Sequence, residues 1–305
     1  MTEGYKALTR AAAAIDLSSR ARIRATGEDR ARLLHALTTN HIQQLLPDHG
    51  CYAFFLNAQG RVLADANFFV FAEHILIDAE PESRQLLWDH IDHYIIADDV
   101  TLHDDTDSTF CVGVEGPQAK ARLCELDAPA PGNDFEHETW GEFTVARTTF
   151  TGGGGYRIFG PVAAKQSLLD LLYLTEATPE DAEVVRIEHG RPRFANDITI
   201  ARLAAETGQT HALHFHKGCY LGQEIVERVR SRGHVNRRLV AMEFDTKTAP
   251  PLESKILVDG KEVGEITSAA FSPHEGKVVA IGYVRVTSDK PGSELEAGGV
   301  AGRIR

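Results

Sequence analysis

The chain has 305 residues and a formal net charge of −12. That length exceeds what one compact core sustains, so two or three packed domains are expected. The acidic balance opposes nucleic-acid binding by bulk electrostatics. No run reaches the ~20 apolar residues of a membrane-spanning helix. The four cysteines, Cys51, Cys111, Cys124 and Cys219, form no C-x-x-C pair and read as reduced thiols, most of them small buried hydrophobes.

The alanine run Ala11 to Ala14 lacks the long apolar core of a secretory signal. Arg10, Arg20, Arg22 and Arg24 suit a short organellar presequence, but Glu3 and Asp16 oppose it, and the expectation is a soluble cytoplasmic protein. Leu33, Leu34 and Leu37 predict a helix over residues 28–46, with Glu28 and Asp29 favouring its N-terminus. Cys51 to Leu56 is a short apolar run, and Asn57 to Gly60 is a turn. Arg61 to Phe71 and His74 to Ala79 read as strands, and a helix opens near Pro81 with Leu87, Ile91 and Ile95 as its buried stripe.

A looser repeat follows. Phe110 to Val114 is a strand, and Pro117 opens a short helix to about Leu126. Phe143 to Phe150 and Tyr156 to Phe159 form a hairpin around Gly152 to Gly155, and Val162 to Leu174 is a helix. Thr178-Pro179-Glu180-Asp181 has the capping threonine, first-turn proline and third-position acid of a helix start, and Gly190 ends that helix. From Gly233 onward strand-like runs alternate with turn residues and no helical period survives, which predicts a small β-domain. The class is α+β. The expected domains are residues 1–232, as two intertwined α+β units with a break near 105–130, and residues 233–305 as a β-rich barrel.

The most informative segment is Lys217-Gly218-Cys219-Tyr220-Leu221-Gly222-Gln223-Glu224. Gly218 permits a sharp turn. Leu221, Ile225 and Val229 then form one stripe of a helix, with Glu224 and Arg228 as an i, i+4 pair on its flank. Cys219 is expected at or just before the helix N-terminus beside Lys217, where dipole and cation both favour a thiolate. A nucleophile, a redox thiol and a metal ligand all remain open for it. His211, His214 and His216 lie close upstream, and a His-x-His plus Cys metal site is an alternative to plain exposed histidines. Lys217, Arg228, Arg230, Arg232, Arg237 and Arg238 face only Glu224 and Glu227 within their segment. They read as a solvated face or as a patch for an anion.

The string Lys-Gly-Cys-Tyr-x-Gly-Gln-Glu resembles the signature of the YgfZ-type folate-binding proteins of iron–sulfur protein maintenance, with every fixed position present at 217–224. That family is similar in turn to the aminomethyltransferase, or T-protein, of the glycine cleavage system. Gly27 to Asn40 resembles its early helix segment, although His41 stands where an aspartate is common. Gly60 to Phe69 resembles its Gly-x-x-x-x-Asp strand and puts Asp65 on the acidic position, and Arg186 to Gly190 resembles its Arg-Ile/Leu-Glu-x-Gly helix end. The resemblance implies a three-domain ring around a tetrahydrofolate pocket, with Cys219 as the working residue. It implies Asp65, Arg186, Lys217, Tyr220, Gln223 and Glu224 as candidate cofactor contacts. One departure is plain: the T-protein pattern Thr-Gly-Glu-x-Gly aims a glutamate at the pterin, and Gly153 of Thr151-Gly152-Gly153-Gly154-Gly155 stands in its place.

Three functions follow as expectations. The first is a tetrahydrofolate-binding accessory factor in iron–sulfur cluster assembly or repair, serving enzymes that include those modifying transfer RNA, with iron–sulfur proteins or their assembly factors as partners. The second is an aminomethyltransferase, a folate-dependent one-carbon transferase taking its unit from a lipoyl-bearing partner. The third is a binding module making RNA or protein contacts through Arg228 to Arg238.

Overall fold

Thr2 opens the chain's first helix by accepting from the Tyr5 amide at 3.1 Å, an N-cap that starts α1 (Glu3–Arg10). The computed structural model describes residues 1–233 and 235–305, with Arg232 by its backbone only. Strands β1 (Ala13–Asp16) and β2 (Ala21–Thr26) follow. None of these three elements stood out in the sequence. The helix has two turns, and the strands are short and rich in alanine and arginine, which dilutes any period.

Helix α2 (Arg30–Leu37) is less than half the predicted length. It stops at Thr38, whose backbone is extended and whose hydroxyl donates to the Leu34 carbonyl at 2.7 Å. Next come β3 (His49–Leu56), β4 (Val62–Val70), β5 (Ile75–Ala79) and, after a 3-10 turn on Pro81, α3 (Arg84–His93). Leu87 and Ile91 are fully buried as predicted, and Ile95 packs partly against the same core. After β6 (Thr101–Asp104) come β7 (Thr109–Glu115), α4 (Ala119–Glu125), β8 (His137–Trp140), β9 (Phe143–Ala146) and β10 (Gly155–Pro161). β9 and β10 are the expected hairpin, paired antiparallel through Arg157 and Ala146. Then α5 (Lys165–Leu172) and β11 (Thr175–Ala177) precede α6 (Pro179–Glu188), which carries a complete Thr178–Asp181 capping box. The last helix, α7 (Gln223–Arg232), leads to β12 (Arg237–Phe244), β13 (Lys255–Val258), β14 (Lys261–Ser272), β15 (Lys277–Arg285), β16 (Glu294–Ala297) and β17 (Val300–Ile304).

These strands form two open sheets and a closed barrel. One sheet runs β11-β1-β7-β10-β9-β8, the other β3-β4-β5-β2-β6, and the barrel closes as β12-β15-β14-β13-β16-β17. Since β1 belongs to the first sheet and β2 to β6 to the second, the chain enters one unit, builds the other, and returns. Phe69 and Leu76 of the second sheet share one core with Cys111 and Phe159 of the first and with Tyr5, Leu8 and Val185 of the two helices. The barrel encloses its own core, including Met242, Phe244, Ile266 and Val284, and packs on α6 through Ile187, Val279 and Ile281. Among the described residues, no helix is long and apolar enough to cross a membrane.

Candidate functional site

Strands β3 and β4 pair in a register that sets Phe54 against Asp65 and Tyr52 against Asn67. Alternation along β4 puts Asp65 and Asn67 on one face, and that face closes a central hollow. The Tyr52 hydroxyl donates to Asp65 Oδ2 at 2.7 Å. Burial pushes the Asp65 carboxyl up to about 6; the Tyr52 hydrogen bond opposes this, and Glu80 adds to it. Tyr52 is pushed well above an ordinary phenol by burial and by Asp65, so it remains a donor.

The hollow measures about 40 Å³ and is lined by five arginines: Arg20, Arg157, Arg186, Arg191 and Arg193. Four are engaged. Arg20 Nε donates to Asp78 at 2.8 Å, and its Nη1 pairs with Glu80. Arg157 pairs with Asp78 as well, so this carboxylate joins β5 to β10. Burial works against the Asp78 charge, but Arg157 and Arg20 outweigh it and hold its carboxyl low. Arg193 reaches Glu80 and Glu82 at 2.8 Å each.

Arg186 borders the hollow but turns its donors away. They go to Glu183, to the Arg191 carbonyl at 2.6 Å, to Asp197 at 2.7 Å and to Ser268 of the barrel at 2.9 Å. Arg191 differs from the other four: among the described residues its guanidinium has no carboxylate or hydrogen-bond partner. Its pKa is pulled down by burial first and by Arg157 second. Two buried atoms of the lining are also without partners, Asn67 Oδ1 and Arg157 Nε.

Tyr52, Arg191 and His211 are shared with an outer chamber of about 430 Å³, within the range of small-molecule sites. His211, exposed on one side, stacks on Tyr52 with ring centres 5.3 Å apart, and the partial desolvation of its ring lowers its pKa. The chamber's far wall is the segment between β9 and β10. Glu115, at the end of β7, latches it: the carboxylate accepts from Thr149 Oγ1 at 2.8 Å, from the Thr151 amide at 2.9 Å and from the Phe150 amide. Phe150 is thereby held against the hollow. Gly155 must be glycine, because a Cβ there would lie 2.7 Å from Glu115 Cγ.

The 217–224 string lies outside this cavity. Lys217 is buried, and its ammonium donates all three protons, to the carbonyls of His35, Thr38 and Asn40 at 2.5, 2.6 and 2.7 Å. It caps the end of α2, which is why that helix stops early. Burial pulls the Lys217 pKa down to about 7. Tyr220 is buried under it, with the ammonium 4.9 Å from the ring centre. Gln223 Oε1 accepts from the Tyr220 amide at 3.3 Å, and Gly222 takes φ +82°. Helix α7 therefore starts at Gln223, and Cys219 stands four residues ahead of it rather than at its dipole. Val226 is the buried anchor of α7, while the expected stripe residues Ile225 and Val229 are half-buried.

Cys219 is exposed, and so is Cys124; only Cys51 and Cys111 are buried, one fewer than expected, and burial pushes each of those two up to about 12. Glu224 is exposed and pairs with Arg228 at 2.8 Å. Arg230 pairs with Glu227 at 3.5 Å, Arg237 with Glu265 at 3.8 Å and Arg238 with Asp289 at 3.0 Å. The side chain of Arg232 lies outside the described residues. The basic segment is thus largely matched by acids, two of them from the barrel, as the solvated-face alternative expects.

His214 and His216 are not on a strand, and His211 is turned into the cavity. His214 instead joins His41 and His35 in a row, with ring centres 5.2 and 4.5 Å apart. His35 Nδ1 accepts from the amides of Ile42 and Gln43, and burial pushes its pKa down to about 4. Among the described residues, no group of His, Cys, Asp and Glu has a geometry that would hold a metal.

The GCVT N-terminal domain family matches residues 1–217, and the glycine cleavage T-protein C-terminal barrel domain matches residues 237–304. The chain belongs to the T-protein family. A putative chloroplastic transferase of Arabidopsis thaliana is 26% identical over 97% of this chain and 70% of its own length. An aminomethyltransferase of Picosynechococcus is 24% identical over 92% and 80%. The glycine cleavage aminomethyltransferase T of Bartonella henselae superposes with a TM-score of 0.91 at 20% identity, covering 99% of this chain and 87% of that one, so the fold is the T-protein fold with its closed barrel.

The family uses tetrahydrofolate. Tyr52, Phe135 and His211 line the outer chamber, and Asp65 lies on the hollow that Tyr52, Arg191 and His211 share with it. Gly153, expected from the resemblance at a ligand-facing position, lines neither the hollow nor the chamber, and a Cβ there would lie 3.1 Å from His189 Cε1. Tyr52, Arg191 and Phe150 escaped the sequence reading. The one legible signal was the crowding of Arg186, Arg191 and Arg193 into eight residues.

Proposed function

We propose that this protein is a YgfZ-type, tetrahydrofolate-binding accessory factor in iron–sulfur cluster assembly or repair, serving enzymes that include those modifying transfer RNA. The observation that carries this reading is how the 217–224 string is spent. Lys217 anchors the turn, Tyr220 fills its underside, Gly222 bends it and Gln223 closes it, and the turn so fastened presents the exposed thiol of Cys219. A turn this well fastened, presenting one free cysteine, suits contact with the metal cluster or thiol of a partner protein. The central cavity then holds the folate, with Asp65 beneath it and Tyr52 and His211 against its face.

The test is genetic and biochemical together. The gene is deleted, and iron–sulfur enzymes and methylthiolated transfer RNA are assayed in extracts. Wild type and Cys219→Ser are then returned at equal expression. Rescue by wild type alone supports the thiol's role; full rescue by Cys219→Ser removes it.

An aminomethyltransferase is the second reading, favoured by the names of the relatives and by Asp65 in the cavity. Arg191, the one arginine of the hollow without an ion pair among the described residues, opposes a donor that carries an ammonium group. Substantial turnover when this protein replaces the T-protein in a reconstituted glycine cleavage assay would reverse the preference.

A further inference from the structure

We propose that Arg191 is the specificity-determining residue of the central cavity and that it recognises a carboxylate on the ligand. This rests on the cavity being the ligand site, but not on the ligand being a folate. Arg191 stands at the neck, lining both the 40 Å³ hollow and the 430 Å³ chamber. The neighbouring cations are already committed: Arg20 to Asp78 and Glu80, Arg157 to Asp78, and Arg193 to Glu80 and Glu82. The acids nearest to Arg191 are taken as well. Asp65 accepts from Tyr52, and Glu115 holds the 149–151 segment.

A guanidinium presents paired donors in a fixed fork, and a carboxylate or a similar pair of acceptors is its planar match. The neck therefore carries a guanidinium with no direct ion pair among the described residues, beside a free acceptor on Asn67 and a free donor on Arg157. Gly152 packs under Arg191, with a hypothetical Cβ 3.5 Å from both Arg191 Cβ and Cδ, so the backbone there leaves the guanidinium no further acid.

Two sources share this chemistry: the glutamate tail of a folate, and a separate small carboxylic acid. Three probes separate them by calorimetric titration. p-Aminobenzoylglutamate has the tail and its ring, glutarate has the carboxylates alone, and tetrahydrobiopterin has the pterin and no carboxylate. Each is titrated into wild type, Arg191→Leu and Arg191→Lys. The expected result is that wild type binds p-aminobenzoylglutamate, that Arg191→Leu weakens it roughly tenfold or more, and that Arg191→Lys falls between. Tetrahydrobiopterin binding should be indifferent to the substitution. Binding of tetrahydrobiopterin and p-aminobenzoylglutamate supports a folate. Glutarate binding that is lost in Arg191→Leu, with no tetrahydrobiopterin binding, keeps Arg191 and removes the folate. Because Arg191 has no partner within the described residues, Arg191→Leu should also melt no lower than wild type without ligand. Carboxylate probes that bind Arg191→Leu within twofold of wild type, or that do not bind wild type, overturn the proposal.

Discussion

The Tyr52 hydroxyl and the Asp65 carboxylate meet at 2.7 Å across the β3–β4 ladder, at the floor of the central cavity. Asp65 is buried, and its pKa is raised from the ordinary carboxylate value to about 6. A raised pKa means that the folded state disfavours the charged form. Its stabilising share is complete below the unfolded value and is lost as pH rises through about 6. Asp65→Asn keeps an acceptor for Tyr52 and removes the charge. It should stabilise the protein by about 2–3 kcal/mol at pH 7 and by almost nothing near pH 3. Urea unfolding of both proteins across that range is the measurement, and a pH-independent difference would contradict the burial effect.

Asp197 is fully buried and accepts from Arg186, from the Arg193 amide, and from Thr267 and Ser268 of the barrel. It ties α6 to β14. Asp197→Ala would leave Arg186 charged and facing the vacancy, a change that costs about 3–5 kcal/mol in buried pairs. Denaturant unfolding should show that loss. A decrease under about 1 kcal/mol would mean that Glu183 alone suffices for Arg186.

Lys217→Met keeps the length of the side chain and strands the carbonyls of His35, Thr38 and Asn40. The expected loss is about 2–4 kcal/mol, from carbonyls left without donors inside the fold. The turn bearing Cys219 should loosen at the same time, seen as faster amide exchange at residues 218–222. Unchanged stability and exchange would show that the lysine is not the anchor.

Alkylation by iodoacetamide in native buffer should label Cys124 and Cys219 quickly and leave Cys51 and Cys111 nearly untouched, because the latter two are buried and held as thiols. Cys219→Ser should remove one fast site and change stability by less than about 0.5 kcal/mol. Mass spectrometry of tryptic peptides reads the first result and thermal melting the second.

Local chemistry was legible wherever it acts over one or two turns of chain. The Thr178–Asp181 capping box, the Leu87 and Ile91 stripe and the Asn57–Gly60 turn all stand where the residues put them. The helix over 28–46 was overdrawn because its terminator, Lys217, lies some 180 residues away and works through carbonyls that look like any others in sequence. The basic segment was read against its own neighbours, whereas Arg237 and Arg238 find Glu265 and Asp289 on the barrel.

The site divides the same way. The 217–224 string stood out by its resemblance to a family signature, and the placing of Asp65 on a strand could be read from spacing, because it is set by residues close in sequence. Which groups share the cavity could not. Tyr52, Asp65, Phe150, Arg157, Arg191 and His211 come from segments spread over 160 residues, and only the folding of two sheets toward each other brings them within reach. Whether an arginine there is a strut or a recognition group depends on which acids the fold delivers to it. Arg186 received Glu183 and Asp197 and became a strut, and Arg191 received no direct partner among the described residues. Sequence determined the inventory and the local turns; tertiary structure decided the pairing, because ion pairs and burial depend on distance in space.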